Sequence, residues 1–147
     1  MMKIKPVILF LFLLTSTGTL FAQHGTCGAK GDSVTWTLRN DTLTFSGIGK
    51  MKDYGIFTTP WGEAYGSITT VVIHPGVTNI GEGICRNCFK LTSVTCYAET
   101  PPALEGEVFD GTSKDIVLYV PANAVSAYKA NENWKNSFAN ILAIQEK

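Results

Sequence analysis

From Ser33 to Ser46 apolar and polar residues alternate: Val34, Trp36 and Leu38 fall on one side, then Leu43 and Phe45, with Arg39-Asn40-Asp41 between them. Period-two apolarity interrupted by Asn-Asp predicts a β-hairpin with one buried face. That face carries a tryptophan and a phenylalanine, so another part of the chain must cover it. The next stretch, Gly47 to Gly66, scatters glycines among Met51, Tyr54, Phe57 and Pro60-Trp61. It reads as an irregular connection anchored by its aromatics.

Beyond this connection the apolar pattern returns every 23 to 24 residues, the range of stacked repeats. Val71 and Ile73 recur as Val94 and Cys96 and again as Leu118 and Val120. Between them Ile80-Gly81, Cys85 and Cys88 recur as Leu104-Glu105, Phe109 and Thr112. Each unit is a short strand, a turn with a second extended piece, and a tight apolar corner. One unit cannot bury its own apolar side, so each depends on stacking against the next. With barely two full turns, both ends need caps. Pro121 suits a first helical position. Val125 and Tyr128, then Trp134, Phe138 and Ile141, fall at helical spacings and predict two short helices over the last unit.

The chain begins Met1-Met2-Lys3-Ile4-Lys5, continues with an apolar run from Val7 to Leu14, and reaches small and polar residues ending in Leu20-Phe21-Ala22. That order predicts a secretory signal over residues 1–22, cleaved after Ala22. The run is 8 residues long, short of the roughly 20 that span a bilayer. Of the 147 residues, cleavage leaves 125; it removes two of the twelve Lys and Arg and none of the twelve acids, for a net charge of −2. One domain is expected, comprising an N-terminal β cap (23–66), repeats (67–120) and a C-terminal cap (121–147). Without a basic excess, nucleic acid and anionic membrane surfaces are improbable partners. Cys27, Cys85, Cys88 and Cys96 all lie in the exported part, where disulfides are permitted. Either a disulfide framework or buried thiols fits them.

The run from Ile80-Gly81-Glu82 through Cys88-Phe89-Lys90-Leu91 to Val94 resembles the BspA-like subtype of leucine-rich repeat, whose unit reads roughly I-G-x-x-A-F-x-x-C-x-x-L-x-x-V-x-I-P. Cys27-Gly28, Thr35 to Leu38, Leu43 to Gly47 and Pro60-Trp61 are similar to the leader of those repeats; Leu118 to Pro121, Ala127 to Lys129 and Trp134 are similar to their closing unit. Cys85 stands where the family usually has Phe, Asp115 where it has Leu, and one residue is inserted near Pro101-Pro102. The resemblance implies a β-rich α+β fold: a short leucine-rich-repeat solenoid with an N-terminal β-hairpin cap and a C-terminal helical cap. It also implies adhesion or protein binding at the cell surface, where relatives contact host matrix proteins or other bacteria.

Chemistry is sparse. Cys85-Arg86-Asn87-Cys88 is a bare CxxC; redox work would need an exposed cysteine at a helix N-terminus, whereas both positions are expected to turn inward. They are a candidate disulfide or a pair of packed thiols, with thiol redox as the competing function. Beyond the cysteines only His24 and His74 could ligate zinc, so no metal and no cofactor is expected. No G-x-S-x-G, H-E-x-x-H or P-loop pattern occurs, and Glu63, Glu82, Glu105 and Glu107 form no assignable acid and base pair. The expectation is a non-enzyme. The candidate ligand face is the set alternating away from the inward residues: Thr70, Val72 and His74; Ser93, Thr95 and Tyr97; Val117 and Tyr119. Stacked in register they would form one outward ladder, the tyrosines offering large contact area at small entropic cost. The reading is an exported interaction or adhesion module, periplasmic, surface-associated or secreted, that binds a protein or surface ligand without membrane insertion. A structural module with no ligand is the remaining alternative.

Overall fold

The computed structural model describes residues 23–146; the expected signal segment lies outside them. The predicted hairpin forms as β2 (Thr35–Arg39) and β3 (Thr42–Ser46), in antiparallel register with Trp36 opposite Phe45 and Leu38 opposite Leu43. Asn40 turns the corner at φ 55°, a left-handed conformation that Asn tolerates. A strand missed in the sequence, β1 (Gln23–Thr26), pairs with β2 on its far side. Too short and too polar to show a period, it is held by backbone pairing alone.

The connection after the hairpin is mostly irregular, as expected, but contributes a two-residue strand, β4 (Gly49–Lys50), and a 3-10 turn over Gly62–Gly66. The repeat strands follow as β5 (Thr70–Ile73), β6 (Val77–Ile80), β7 (Ser93–Cys96), β8 (Ala103–Leu104) and β9 (Val117–Val120). Their pairing is parallel and in the register of the repeat. Val71 lies opposite Val94 and Val94 opposite Leu118; in the second sheet Ile80 lies opposite Leu104. The 23–24 residue spacing therefore places successive apolar residues side by side.

The hairpin joins the repeats in one sheet, because β3 pairs parallel with β5. Asp41 fastens this joint. Its carbonyl accepts from the Thr69 and Thr70 amides, its carboxylate accepts from the Thr69 hydroxyl at 2.7 Å, and that bond holds the carboxyl below its ordinary pKa. The large sheet runs β1-β2-β3-β5-β7-β9-β10 and the small one β4-β6-β8.

Between the sheets lies one core that includes Phe45, Ile68, Val71, Ile80, Leu91, Val94 and Leu118. The corners stack too, with the Cys85 amide donating to Val108 O and the Asn87 amide to Asp110 O. Gly81 must be glycine, because a Cβ there would stand 1.9 Å from Lys52 O. Its repeat mate Glu105 carries a side chain, whose carboxylate accepts from the Asn79 side-chain amide.

The two predicted helices form as α1 (Val125–Ala130) and α2 (Glu132–Ser137), the second capped by the Asn131 side chain accepting from the Asn133 and Trp134 amides. Two details differ from expectation. Pro121 precedes a 3-10 turn (Ala122–Ala124) with ψ 142°, outside the helix, and Ile141 leaves the helical spacing to enter β10 (Asn140–Ala143), which pairs parallel with β9. Phe138 ends α2 in an extended conformation, and alternation then takes over. The position where Asp115 breaks the repeat is also resolved. Asp115 is exposed, and its neighbour Ile116 takes the buried place instead.

Aromatic clusters close both ends of the stack. Trp61 meets Trp36, Phe45 and Tyr54 edge-on at 5.6, 5.5 and 5.8 Å. At the far end Phe109 packs on Phe138 at 4.9 Å and Tyr128 on Trp134 at 5.1 Å. The buried polar ends find partners there: Trp134 Nε1 donates to Pro102 O at 2.7 Å and the Tyr128 hydroxyl to Ala98 O at 2.8 Å. Trp36 Nε1 alone is buried without one among the described residues.

Candidate functional site

Strand alternation sends every second residue of the large sheet outward, and register fixes which of them are neighbours. The sequence-predicted residues come together as two rows. Thr70, Ser93 and Val117 lie side by side, and so do Val72, Thr95 and Tyr119. All six are half-buried. His74 and Tyr97, just past their strands, are exposed and stack on each other with ring centroids 5.6 Å apart and planes 12° from parallel.

The face is larger than the eight predicted residues. Because the hairpin and the terminal strands join the same sheet, the second row extends in both directions: His24, Thr37 and Thr44 lead into Val72, and Leu142 follows Tyr119. The first row gains Arg39, Thr42 and Asn140. The signal for the hairpin residues was present in Thr35, Thr37, Thr42 and Thr44, which alternate with the buried set; what the sequence lacked was the pairing of β3 with β5. Over Thr37, Arg39, Thr42 and Thr44 the face dips into an open concavity of about 540 Å³. Threonine suits such a surface, being β-branched and able to donate and accept hydrogen bonds.

At the other end of the strands, Tyr97 forms the wall of a second open groove of about 540 Å³ between the loops Pro75–Thr78 and Ala98–Pro102. It is lined by Pro75, Val77, Pro101 and Pro102, with Glu99 as its one charged group. Tyr97, 41% exposed, links groove and ladder.

The Cys85 and Cys88 thiols lie elsewhere, under a corner. Both are free and buried, as are Cys27 and Cys96. The Cys85 thiol donates to Cys88 sulfur, which pushes the Cys85 pKa up, helped by burial, and draws that of Cys88 down. Asn87 between them sits at φ 60°. Burial raises Cys27 to about 11 against the lowering influence of Lys52, and raises Cys96 as well. No three metal-ligating side chains gather among the described residues, and none of the described helices is long and apolar enough to cross a membrane.

No family profile matches the chain, and no curated protein does. Among solved structures, a leucine-rich repeat protein from Eubacterium ventriosum is similar to the chain, with a TM-score of 0.46 and 18% identity over 84% of this chain. The match takes in 45% of that protein, so the chain spans less than half its length.

Proposed function

We propose that the chain is an exported, non-catalytic interaction module, a short leucine-rich-repeat solenoid that binds a protein or surface ligand through the outward face of its large sheet. The observation that carries the reading is the seven-residue row His24, Thr37, Thr44, Val72, Thr95, Tyr119 and Leu142, one residue from each strand of the large sheet, with no Asp, Glu, Lys or Arg among them. A rigid sheet presenting threonine hydroxyls beside Tyr97, Tyr119 and His74 provides adaptable hydrogen bonds next to large aromatic contacts, the composition of many recognition surfaces. Export rests on the leader over residues 1–22, and an N-terminus at Gln23 in protein recovered from the culture would test it. The ligand class follows from the resemblance to BspA-like repeats, whose members contact host matrix proteins and other bacteria.

The test is binding to immobilised matrix proteins and to bacterial surface extracts by the chain and by its double variant Tyr97→Ala/Tyr119→Ala. We expect the wild type to bind and the variant to lose at least about tenfold in affinity with its melting curve kept. Equal binding by the two removes the face from consideration.

The competing reading, thiol redox through Cys85 and Cys88, draws on their hydrogen-bonded pairing, but their burial opposes it. A thiolate reactive toward an alkylating reagent in the folded protein would favour redox. Sulfurs that react only after unfolding, or that are permanently bridged, favour the binding module.

A further inference from the structure

Among the described residues the large sheet has two edges without a partner strand, and they differ. At one end β1 contains Gly25, and its free edge is presented by His24 and Thr26. At the other end β10 reads Asn140-Ile141-Leu142-Ala143, four residues without charge, proline or glycine. Natural sheets guard such edges with Lys, Pro, a bulge or a covering segment. Here β10 has β9 as its one partner strand among the described residues, and Leu142 on its outer face is 48% exposed.

Backbone geometry says which groups are unspent. In a parallel pair both the N–H and C=O of one residue face the same neighbour, and successive residues alternate sides. The Ile144 amide donates to Val120 O at 2.8 Å, so Ile144, Leu142 and Asn140 face β9. Ile141 and Ala143 therefore turn their N–H and C=O to the open edge.

We propose that this edge pairs with the β10 edge of a second copy of the chain, antiparallel about a two-fold axis. The register follows from two conditions. Paired residues must project to the same face, so the axis passes through a residue and not between two, because the side-chain period is two. The groups that exchange hydrogen bonds must be those left free, so Ile141 of each copy pairs with Ala143 of the other and Leu142 meets its own mate at the centre. That arrangement makes four backbone hydrogen bonds and joins the two exposed leucines on the outer face. Asn140 then stands opposite Ile144, so no like charges oppose each other. The occupant is a second copy because the edge is neutral and self-complementary in this register, as a two-fold interface requires. Pairing would merge the two outward faces into one surface of fourteen strands, doubling whatever that face binds. With few residues in contact, the association sits at the weak end of specific interfaces.

Sedimentation velocity from about 10 μM to about 1 mM spans the affinity expected of such a contact. The wild type should move from monomer toward dimer and no further, while amide exchange at Ile141 and Ala143 slows with concentration and that at Leu142 stays constant. Leu142→Lys and Ala143→Pro should both remain monomeric with unchanged circular dichroism; the first places charge at the axis, the second removes a donor at an edge position that tolerates proline. A wild type that is monomeric throughout overturns the proposal. So does a dimer that survives both variants, or a mass growing beyond dimer, which would mean β10 meeting β1 head to tail. Slowed exchange at Ile141 and Ala143 in a monomer given an unrelated extended peptide would assign the edge to a different partner.

Discussion

On the inner side of the large sheet Leu43, Val71, Val94 and Leu118 stand in one row and are wholly buried; one position along, on the outer side, Thr44, Val72, Thr95 and Tyr119 stand in an equally regular row and are half exposed. The same strands and the same register produce both rows, yet only the inner one is constrained by packing. Its residues are aliphatic at every step, as close packing between two sheets favours. The outer row mixes Thr, Val and Tyr, which backbone pairing does not require. The contrast separates what holds the fold from what the fold is free to display.

The sharpest way to break the contrast is to truncate one residue on each side. Leu118→Ala in the inner row should cost about 2–5 kcal/mol, as the cavity stays open between sheets that cannot close on it. Thr95→Ala, next to it on the outer face, should cost about 0.5 kcal/mol or less. Urea midpoints of the two variants check both values. Similar losses would mean that the outer face is covered and not free.

A second comparison sets the two ends against each other. At the C-terminal cap Trp134 Nε1 donates to Pro102 O, while at the N-terminal end Trp36 Nε1 has no partner among the described residues. Trp134→Phe should therefore cost about 1–3 kcal/mol, largely from a stranded carbonyl. Trp36→Phe loses only ring area and should cost less. Thermal melts rank the two, and a larger loss at Trp36 would reveal an unseen partner for that indole.

Much of this architecture was legible, for specific reasons. The hairpin announced itself through alternation around Asn40-Asp41, and the stack through the return of Val71 as Val94 and Leu118. Legibility failed where signal is carried by backbone alone, as in β1, four residues that bury no apolar side chain. It failed also where one pattern passes into another, as at Ile141, which follows Trp134 at a helical interval but belongs to a strand. The eight-residue ladder was readable because it is the complement of the buried set. Its extension to Thr37, Thr44 and Leu142 was not, since that depends on β3 meeting β5 and β10 meeting β9.

The buried thiols sharpen the inner side further. Folded Cys27 keeps its proton to about pH 11, whereas the unfolded thiol releases it near 9.0. Between those values the folded state binds more protons than the unfolded one, so stability is complete below about pH 9 and falls as pH rises toward 11. Cys96, also raised by burial, acts in the same direction. Urea midpoints at pH 8 and pH 10.5 should show the decline, and Cys27→Ala should flatten part of it. A stability profile level over this range would mean that the thiols are bridged or already ionised.

A modest stability effect is expected where the functional effect is largest. Tyr119 stands between Thr95 and Leu142 on the outer face, and cross-strand neighbours of this kind contribute about 0.2–1 kcal/mol each. Tyr119→Ala should therefore lower the unfolding free energy by about 0.4–2 kcal/mol for the two neighbours together. An aromatic at the centre of a bound interface costs about 2 kcal/mol or more on truncation, roughly thirtyfold in affinity. One variant decides the matter, because a protein that stays folded loses affinity only through the contact itself: an affinity loss well beyond what the stability change explains marks a recognition residue. Equal small losses in both would mean that Tyr119 only finishes the sheet.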